Sequence, residues 1–422
     1  MTPKVLVISN ECFSKTSSNG RTLGNFFLGW PKEQLAQFFL IGKPDAYYCD
    51  QYFQISDRQA LNALLHRGSV GGEVLLTDDE AEIISAQKRK KTVRNALTML
   101  GRNAIWKTEV WQKNGFWNWV DTFAPDMVLL QAGDCAFMYD LAVETAKHTN
   151  SKLVIYNSEG YYYKDFDYFR GTGLAHFVYP IFEKQLKKAL ERAYAMASCV
   201  FYICDELKEA YAKDFHVRAE TIFTASEIRY SEAQQKNNIF TSVYAGNLGL
   251  NRHKSLIDVA QALQSISKDL YVDVYGKVPN EEVADALKAC CGIRYHGLIS
   301  YEQVKNALRD SDLLLYVESF DAFYQEDIKF GFSTKIADSL SSGNCFLLYA
   351  PEHFACFQYL KKNRAAYVVS SKQELESVLR NLVNNPAARE LYRENALALA
   401  AKNHRVKKNN AKFQGVLREL VD

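Results

Sequence analysis

The stretch Phe330-Gly-Phe-Ser-Thr-Lys-Ile-Ala-Asp-Ser-Leu-Ser-Ser-Gly-Asn-Cys-Phe-Leu348 decides the fold of the second half of the chain. Ser333 and Thr334 are typical of a helix start, and Gly343 is typical of a helix end. The apolar run after Gly343 has the length of a buried strand. The stretch therefore predicts a helix followed by a strand. The free amides and positive dipole end of that helix favour an anion near Ser333.

Two charged residues of this predicted helix could reach the same ligand. Lys335 adds a positive charge beside the helix start. Asp338 lies four residues after Thr334, so both residues face the same side of the helix. Its carboxylate could accept hydrogen bonds from hydroxyl groups of a ligand.

Short apolar strands alternate with longer amphipathic stretches almost throughout the chain. The strands are continuously apolar, as in parallel sheets covered by helices on both faces. The predicted strands are Lys4–Ser9, Phe38–Ile41, Met127–Ala132, Lys152–Asn157, Cys199–Cys204, Thr221–Ser226, Thr241–Gly246, Leu270–Gly276, Gly292–Gly297, Asp312–Val317, Cys345–Ala350 and Ala365–Ser370. The fold class is therefore predicted to be α/β.

The domain division follows from one polar stretch without periodicity, Ser231–Asn238, which is the predicted linker. We expect a Rossmann-like domain at residues 1–235, a second at 236–404, and a C-terminal helix at 405–422 that returns to the first. Both sheets are expected to be doubly wound. Because ligands bind beyond the carboxyl ends of such strands, the two sheets predict a shared cleft.

From Val243 onward the order of motifs resembles retaining GT-B glycosyltransferases, in the large family that includes sucrose synthases and bacterial capsule and lipopolysaccharide enzymes. The stretch Tyr244-Ala-Gly-Asn-Leu-Gly-Leu-Asn-Arg-His-Lys254 is similar to the strand, glycine turn and helix start that hold the donor diphosphate in those enzymes. An ordinary strand–helix turn is the alternative interpretation. The resemblance implies that the donor-binding residues here are Gly246, Asn247, Arg252 and Lys254.

The same resemblance assigns roles to other strand and helix ends. Gly276 and Gly297 each close a predicted strand, and glycine there lets a planar base lie against the main chain. The helix start at Ser333, Thr334 and Lys335 is implied to clamp phosphate.

The chain departs from the family at its acidic residues. The family usually carries two glutamates separated by seven residues, a spacing that Glu318 and Glu326 share. Glu326, however, is predicted to lie in a loop, Asp321–Lys329, so we interpret this spacing as accidental. Counting back from Gly343 makes Asp338 the acidic residue on the helix. Asp338 and Glu318 are then implied to hold ribose or sugar hydroxyls.

Candidates in the first half rest on weaker patterns. Ser17-Ser-Asn-Gly-Arg-Thr22 follows the first strand, and backbone amides around Gly20 could contact the diphosphate. A simple strand–helix connection is the alternative. Glu159 follows a predicted strand where relatives contact the transferred sugar, and it is predicted to be catalytic together with Glu318. Asp134 is a further candidate.

The segment Lys88–Lys113 holds eight Lys or Arg residues and one acidic residue, Glu109. Basic residues beside tryptophans suit anionic lipid headgroups, so residues 88–119 are a candidate membrane surface. The alternative is a helical pair whose tryptophans pack inward. No nucleic-acid-binding module accompanies the segment, so nucleic acid is not an expected partner. The tryptophans concerned are Trp106, Trp111, Trp117 and Trp119.

The composition, with 48% apolar and 24% charged residues, predicts a soluble globular protein. No apolar run reaches the roughly 18 residues that cross a bilayer, and no basic-then-apolar signal region opens the chain. Nine cysteines fit neither a disulfide framework nor a zinc site. We expect a cytoplasmic location, with a peripheral position at the inner face of the membrane as an option. His148, His216 and His404 are expected on solvated helix surfaces.

The resemblance implies a retaining glycosyltransferase that moves a sugar from a nucleoside diphosphate to a glycan or lipid-linked acceptor. Neither a cofactor nor a metal is expected, because basic side chains and a helix terminus neutralise the leaving diphosphate in such enzymes. Two alternatives stay open, a nucleotide-sugar epimerase of the same architecture and a non-catalytic scaffold. Retention of Arg252, Lys254 and Lys335 argues against the scaffold.

Overall fold

The computed structural model describes residues 2–15, 18–74, 93–229 and 240–422, which form two compact units. The first unit consists of Met1–Ile222 together with Asn410–Asp422, and the second of Phe223–Asn409. The end of the chain therefore returns to the first unit, as predicted.

The second unit begins ahead of the predicted boundary at residue 235. The predicted linker, Ser231–Asn238, lies outside the described residues. Phe223 already belongs to the second unit. The segment after it is tied to the end of the last helix of that unit, because the Thr224 carbonyl accepts a hydrogen bond from Nδ1 of His404 at 2.7 Å.

The first unit is built on a sheet in the order β4-β3-β2-β1-β5-β6-β7-β8. Its strands are β1 (Val5–Glu11), β2 (Leu35–Ile41), β3 (Gln51–Gln54), β4 (Gly72–Val74), β5 (Met127–Gln131), β6 (Lys152–Asn157), β7 (Ala197–Tyr202) and β8 (Ala219–Thr221). All neighbours are parallel except β3 and β4. The strand predicted at Thr221–Ser226 is wrong, since β8 ends at Thr221 and the residues from Phe223 onward belong to the second unit.

The second unit carries a parallel sheet in the order β11-β10-β9-β12-β13-β14. Its strands are β9 (Ser242–Ala245), β10 (Val272–Tyr275), β11 (Ile293–Gly297), β12 (Leu313–Val317), β13 (Cys345–Tyr349) and β14 (Tyr367–Val369). The strand order reverses between β9 and β12. In open parallel sheets this switch point leaves a crevice at the carboxyl ends of the strands, where ligands bind. The prediction of an α/β fold with two mostly parallel sheets is confirmed.

Helices connect the strands in both units. The first unit contains α1 (Ser18–Phe26), α2 (Asp57–Leu65), α3 (Ala96–Trp106), α4 (Phe116–Phe123), α5 (Ala136–His148), α6 (Leu174–Phe177), α7 (Tyr179–Met196), α8 (Asp205–Tyr211) and most of α17 (Val406–Glu419). The second contains α9 (Arg252–Ile266), α10 (Glu281–Ala289), α11 (Tyr301–Arg309), α12 (Ala322–Ile328), α13 (Thr334–Ser342), α14 (Ala355–Asn363), α15 (Lys372–Asn384) and α16 (Pro386–Asn403). Of the helices in the described ranges, none combines the length and apolarity needed to span a bilayer.

The segment predicted as a loop at Asp321–Lys329 contains helix α12. Asp321 caps this helix, because its side chain accepts a hydrogen bond from the Phe323 amide at 3.0 Å. Glu326 therefore lies on a short helix, where it pairs with Lys329 at 2.6 Å. Its carboxylate is engaged on the surface of α12 and is separate from helix α13.

The tryptophans assigned to a membrane surface pack mainly into the core of the first unit. Trp106 and Trp111 are each 2% exposed, and Trp119 is 6% exposed. The Trp106 ring stacks on Phe137 with centroids 4.4 Å apart. The lipid-facing interpretation is therefore wrong for these three side chains, because large aromatic rings fill space between the sheet and its covering helices. Trp117 is half-buried.

The basic cluster Lys88–Lys91, which was part of the same interpretation, lies outside the described residues.

His404 is fully buried, against the expectation of a solvated surface. Its Nδ1 donates to the Thr224 carbonyl, and the Tyr359 hydroxyl lies 2.9 Å from its Nε2. Burial lowers the pKa of His404 to about 4, and the hydrogen bond to Thr224 only partly offsets this. The imidazole is therefore neutral in the folded protein at physiological pH.

This histidine predicts acid sensitivity. The unfolded chain binds a proton at His404 near pH 6.5, whereas the folded protein does so only near pH 4. Stability contributed by the neutral imidazole is therefore present above pH 6.5 and lost as pH falls towards 4, by about 3 kcal/mol at most. Urea unfolding from pH 7 to 4 measures the loss, and His404→Gln is expected to flatten it. An equal effect of the surface variant His148→Gln would contradict this assignment.

Candidate functional site

Three glycines meet at the carboxyl edge of the second sheet. The Gly246 amide donates to the Tyr275 carbonyl at 2.8 Å, and the Gly276 amide donates to the Gly297 carbonyl at 2.7 Å. A Cβ at Gly276 would lie 1.7 Å from the Gly246 carbonyl oxygen, so no side chain fits there. The structure thus brings together the three glycines that the sequence singled out.

Lys335 reaches across this edge from the first turn of α13. A Cβ at Gly246 would lie 2.5 Å from its Nζ, so the glycine makes room for the ammonium group. The Nζ atom lies 5.5 Å from the ring centroid of Tyr244 and 5.1 Å from that of Tyr316. Aromatic faces attract a cation at such distances. Among the described residues, no hydrogen bond or ion pair engages this ammonium.

The environment of Lys335 works against its charge. Desolvation and the neighbouring Arg252 guanidinium lower the pKa of Lys335 to about 8, although the Glu318 carboxylate opposes this. A bound anion would stabilise the protonated form of this lysine and raise its pKa back towards the usual value.

Arg252 and Glu318 form a buried two-point ion pair beside Lys335. Nε of Arg252 donates to Oε2 at 2.7 Å and Nη2 donates to Oε1 at 3.2 Å. The Tyr316 hydroxyl donates to the same Oε1 at 2.6 Å. The side chains of Arg252 and Glu318 are only 12% and 5% exposed. Burial acts to lower the pKa of Arg252, but the Glu318 carboxylate outweighs it and raises the pKa above its usual value.

Arg252 and Lys254 have different surroundings at the start of helix α9. The helix begins at Arg252 itself. Lys254 is exposed, and in the described structure only Arg252 and Lys335 of the predicted cations meet at Glu318. Asn247 shapes the preceding turn, because its side-chain oxygen accepts the Gly249 amide at 2.9 Å.

The start of α13 is an anion-binding geometry. Ser333 is its N-cap, and the Ser333 hydroxyl accepts a hydrogen bond from the Lys335 amide at 3.3 Å. Thr334 is the first helical residue. The Ile336 amide donates to the Ser333 carbonyl at 3.0 Å. The positive dipole end of the helix lies at the same edge as the Lys335 ammonium.

Asp338 is 7% exposed on α13. Its Oδ1 accepts the Ser226 hydroxyl at 2.6 Å and the Tyr301 hydroxyl at 3.2 Å. The carboxylate is therefore surrounded by hydroxyl donors, which is the kind of partner that the sequence assigned to it. In this structure the donors come from the protein.

Tyr244 and Tyr316 were not among the predicted site residues. Both lie within apolar strands, where periodicity favours an interpretation as core residues. A signal was available for Tyr316, since it precedes Glu318 by two residues and side chains at that spacing share one face of a strand.

The first unit holds a second group of predicted residues at its own sheet edge. Asp134 follows β5, is 7% exposed and forms an ion pair with Arg94. Glu159 follows β6, and its carboxylate lies 3.9 Å from Nζ of Lys164. Gly20 lies inside helix α1 and not in a loop before it, because the helix already begins at Ser18.

Within the described ranges, no cluster of three or more histidine, cysteine, aspartate or glutamate side chains could hold a metal ion.

Known proteins share the fold of this chain. HepE from Anabaena, crystallised with UDP, matches with a TM-score of 0.62 and 12% identity, covering 99% of this chain and 100% of its own. WaaG, a glycosyltransferase involved in lipopolysaccharide biosynthesis, gives 0.55 and 12%, covering 97% and 100%. Sucrose-phosphate synthase from Thermosynechococcus elongatus gives 0.58 and 10%, covering 99% of each chain. At such low sequence identity, the structural similarity shows a common fold alone.

The family comparison is narrower. No curated protein sequence matches the chain significantly. The model of a family described as glycosyl transferase-like matches residues 252–414, a segment that contains Arg252, Glu318 and helix α13. The chain therefore has a GT-B fold, and its residues 252–414 match the model of a glycosyl transferase-like family.

Proposed function

We propose that this protein is a retaining glycosyltransferase that takes its sugar from a nucleoside diphosphate bound at the carboxyl edge of the second sheet. One observation carries the proposal. The Lys335 ammonium has no anionic partner among the described residues, although it stands at a helix N-terminus. A diphosphate placed there would supply the missing negative charge.

The charges at this edge favour departure of the diphosphate. Arg252 and Glu318 largely neutralise each other, so Lys335 and the amides at the start of α13 provide the net positive potential. Negative charge grows on the diphosphate as the bond to the sugar breaks, and cations fixed in advance stabilise it without reorganising. The proposal needs no resident metal, and activity is expected to persist in a chelator.

The sites of the nucleotide base and its ribose are assigned by position. HepE was crystallised with UDP and with UDP-glucose, which supports a uridine nucleotide as the first donor to test. The base is proposed to lie against Gly276 and Gly297. A ribose hydroxyl is proposed to bind Asp338 in place of Tyr301, whose hydrogen bond is the longer of the two.

No protein nucleophile is assigned to the transfer step. In the proposed front-face reaction, the acceptor hydroxyl attacks the anomeric carbon on the side from which the diphosphate leaves. The bond from that carbon to the phosphate oxygen breaks, and the departing phosphate oxygen takes the proton of the hydroxyl. Glu318 and Glu159 are proposed to position the sugar, and the acceptor is proposed to be a glycan or a lipid-linked glycan in the cytoplasm.

The activity test is direct. Incubation with UDP-sugars should release UDP, and nuclear magnetic resonance of the glycosidic product should show the anomeric configuration of the donor. An inverted product would overturn the retaining mechanism. Conversion of one UDP-sugar into its epimer without transfer would favour the epimerase alternative, and failure to bind any nucleotide would favour the scaffold.

Removal of the lysine charge should weaken diphosphate binding specifically. Lys335→Ala is expected to lose about 1.5–3 kcal/mol of UDP affinity, the range for a charged hydrogen bond. Calorimetric titration with UDP and with uridine measures the difference, and uridine affinity should not change. Lys361→Ala is the matched control, because that lysine pairs with Glu352 on the surface. Equal losses for UDP and uridine would indicate damage to the fold.

Arg252→Ala should combine two effects. UDP affinity should fall by about 1.5–3 kcal/mol, and the melting temperature should also fall, because Glu318 is left as a buried unpaired carboxylate. The Arg252→Ala/Glu318→Gln double variant separates these effects. It should recover part of the melting temperature while still binding UDP weakly. Recovery of UDP affinity in the double variant would refute a phosphate-binding role for Arg252.

Binding of UDP should depend on pH through Lys335. Its pKa of about 8 means that the unliganded protein loses the ammonium charge as pH rises through 8. Affinity should be constant just below this point and fall by up to about tenfold per pH unit above it. Lys335→Arg should remove the dependence between pH 7 and 9.5, since arginine stays protonated. The same pH profile in that variant would assign the titration to another group.

A further inference from the structure

A group of exposed apolar side chains lies on one side of the first unit, away from the buried tryptophans. Phe177 is 79% exposed, Leu174 62% and Ile181 59%. Val93 and Leu97 near the start of α3 are 72% and 46% exposed. Large apolar side chains exposed singly are common, but a contiguous group marks an interaction surface.

Contacts within the first unit place these side chains together. The Arg94 guanidinium lies over the Phe169 ring at 5.9 Å, and Nδ2 of Asn103 donates to Gln185 at 3.2 Å. In the chain, Leu97 lies between Arg94 and Asn103. Helix α6 and the start of α7 lie between their partners, Phe169 and Gln185. Helix α3 therefore runs beside α6 and α7, so Leu97 lies on the helix that neighbours both of them.

The exposed residues of α6 and α7 form one stripe. Leu174, Phe177 and Ile181 are followed by the exposed lysines Lys184 and Lys188 at the same three- and four-residue spacing. Side chains at that spacing share one face of a helix, and the residue between the two helices, Val178, keeps right-handed helical geometry. The stripe therefore passes from an apolar end to a basic end over about 20 Å.

The apolar end carries few charged side chains. Residues 171–182 contain no Asp, Glu, Lys or Arg, and Nδ1 of their one histidine, His176, lies 3.1 Å from the Asp167 carboxylate. On α3 the single charged residue is Arg102, whose guanidinium turns to Asp57 at 2.7 Å and to Cys135. Residues 171–182 can therefore enter an apolar medium without burying a Lys, Arg, Asp or Glu side chain of their own.

We propose that this stripe, with Leu97 and Val93 beside it, docks the first unit on an anionic lipid bilayer. Apolar side chains would enter the boundary between headgroups and acyl chains, and the lysines would lie at headgroup level, as in helices that bind membrane surfaces. A second copy of the chain fits less well. Five side chains present only a few hundred Å², below the roughly 800 Å² per partner of a stable dimer.

The docking surface adjoins the residues assigned to the acceptor. Arg94, next to Val93, forms the ion pair with Asp134 at the carboxyl edge of the first sheet. Resting on the proposed function, this position would present that edge to an acceptor sugar carried by a membrane lipid. The docking itself does not depend on the enzymatic assignment.

Vesicle flotation with the full chain tests the surface. The wild-type protein should float with phosphatidylcholine vesicles containing about one third phosphatidylglycerol, and less with pure phosphatidylcholine. The triple variant Leu174→Ser/Phe177→Ser/Ile181→Ser should bind vesicles about tenfold more weakly or worse. Each substitution removes apolar surface that the bilayer would otherwise bury. Lys184→Glu/Lys188→Glu should abolish the preference for the anionic vesicles.

The matched control is Leu65→Ser/Leu391→Ser, which removes leucines that are 50% and 57% exposed elsewhere. It should float like the wild type. UDP affinity and melting temperature, measured on every variant, should be unchanged, which separates failure of docking from failure of the donor site. Absence of wild-type flotation, or flotation that survives the triple variant, would overturn the proposal. A dimer that the triple variant dissociates, without lipid binding, would assign the surface to a second copy.

Discussion

The buried ion pair between Arg252 and Glu318 is the constraint on which the second unit depends. It joins the first residue of α9, the helix that follows β9, to the residue after β12. The strand order reverses between β9 and β12. Breaking such a pair by removing one partner costs several kcal/mol, because a buried charge is left without compensation. The pair therefore fixes the shape of the crevice before any ligand arrives. It also places a guanidinium where it raises the cost of a second cation.

That second cation, Lys335, is tolerated because its surroundings compensate in part. Two tyrosine rings face the ammonium group, and the glycine at position 246 leaves room for it. The lowered pKa of Lys335 shows that these contacts do not fully offset the cost of burying its charge. A group held in this state gains more from an anion than an exposed lysine does, since the anion relieves a penalty that solvent does not. Stability and ligand affinity are thus opposed at this residue.

Sequence patterns predicted the elements that depend on local chemistry. The glycine-terminated strands, the capped start of α13 and the parallel sheets follow from periodicity and from backbone requirements, which are encoded within a few residues. Partners distant in the chain were not predictable in this way. His404 was expected to be exposed to solvent. It is buried because it contacts Thr224 and Tyr359, which lie far away in sequence. The lipid-facing prediction for Trp106 and Trp111 was wrong for the same reason. The sequence shows that a tryptophan is present, but not which distant residues pack over its ring.

The return of α17 to the first unit has a consequence for how the chain is made. Phe413, Val416 and Leu417 belong to the apolar core of that unit, and the Phe413 ring stacks on Phe26 with centroids 4.6 Å apart. These residues are translated after all of the second unit. Domains generally fold as they emerge, so the second unit can complete its core once its own residues are made, whereas the first, although begun earlier, must wait for α17. The order of translation and the order of completion are therefore opposite in this protein.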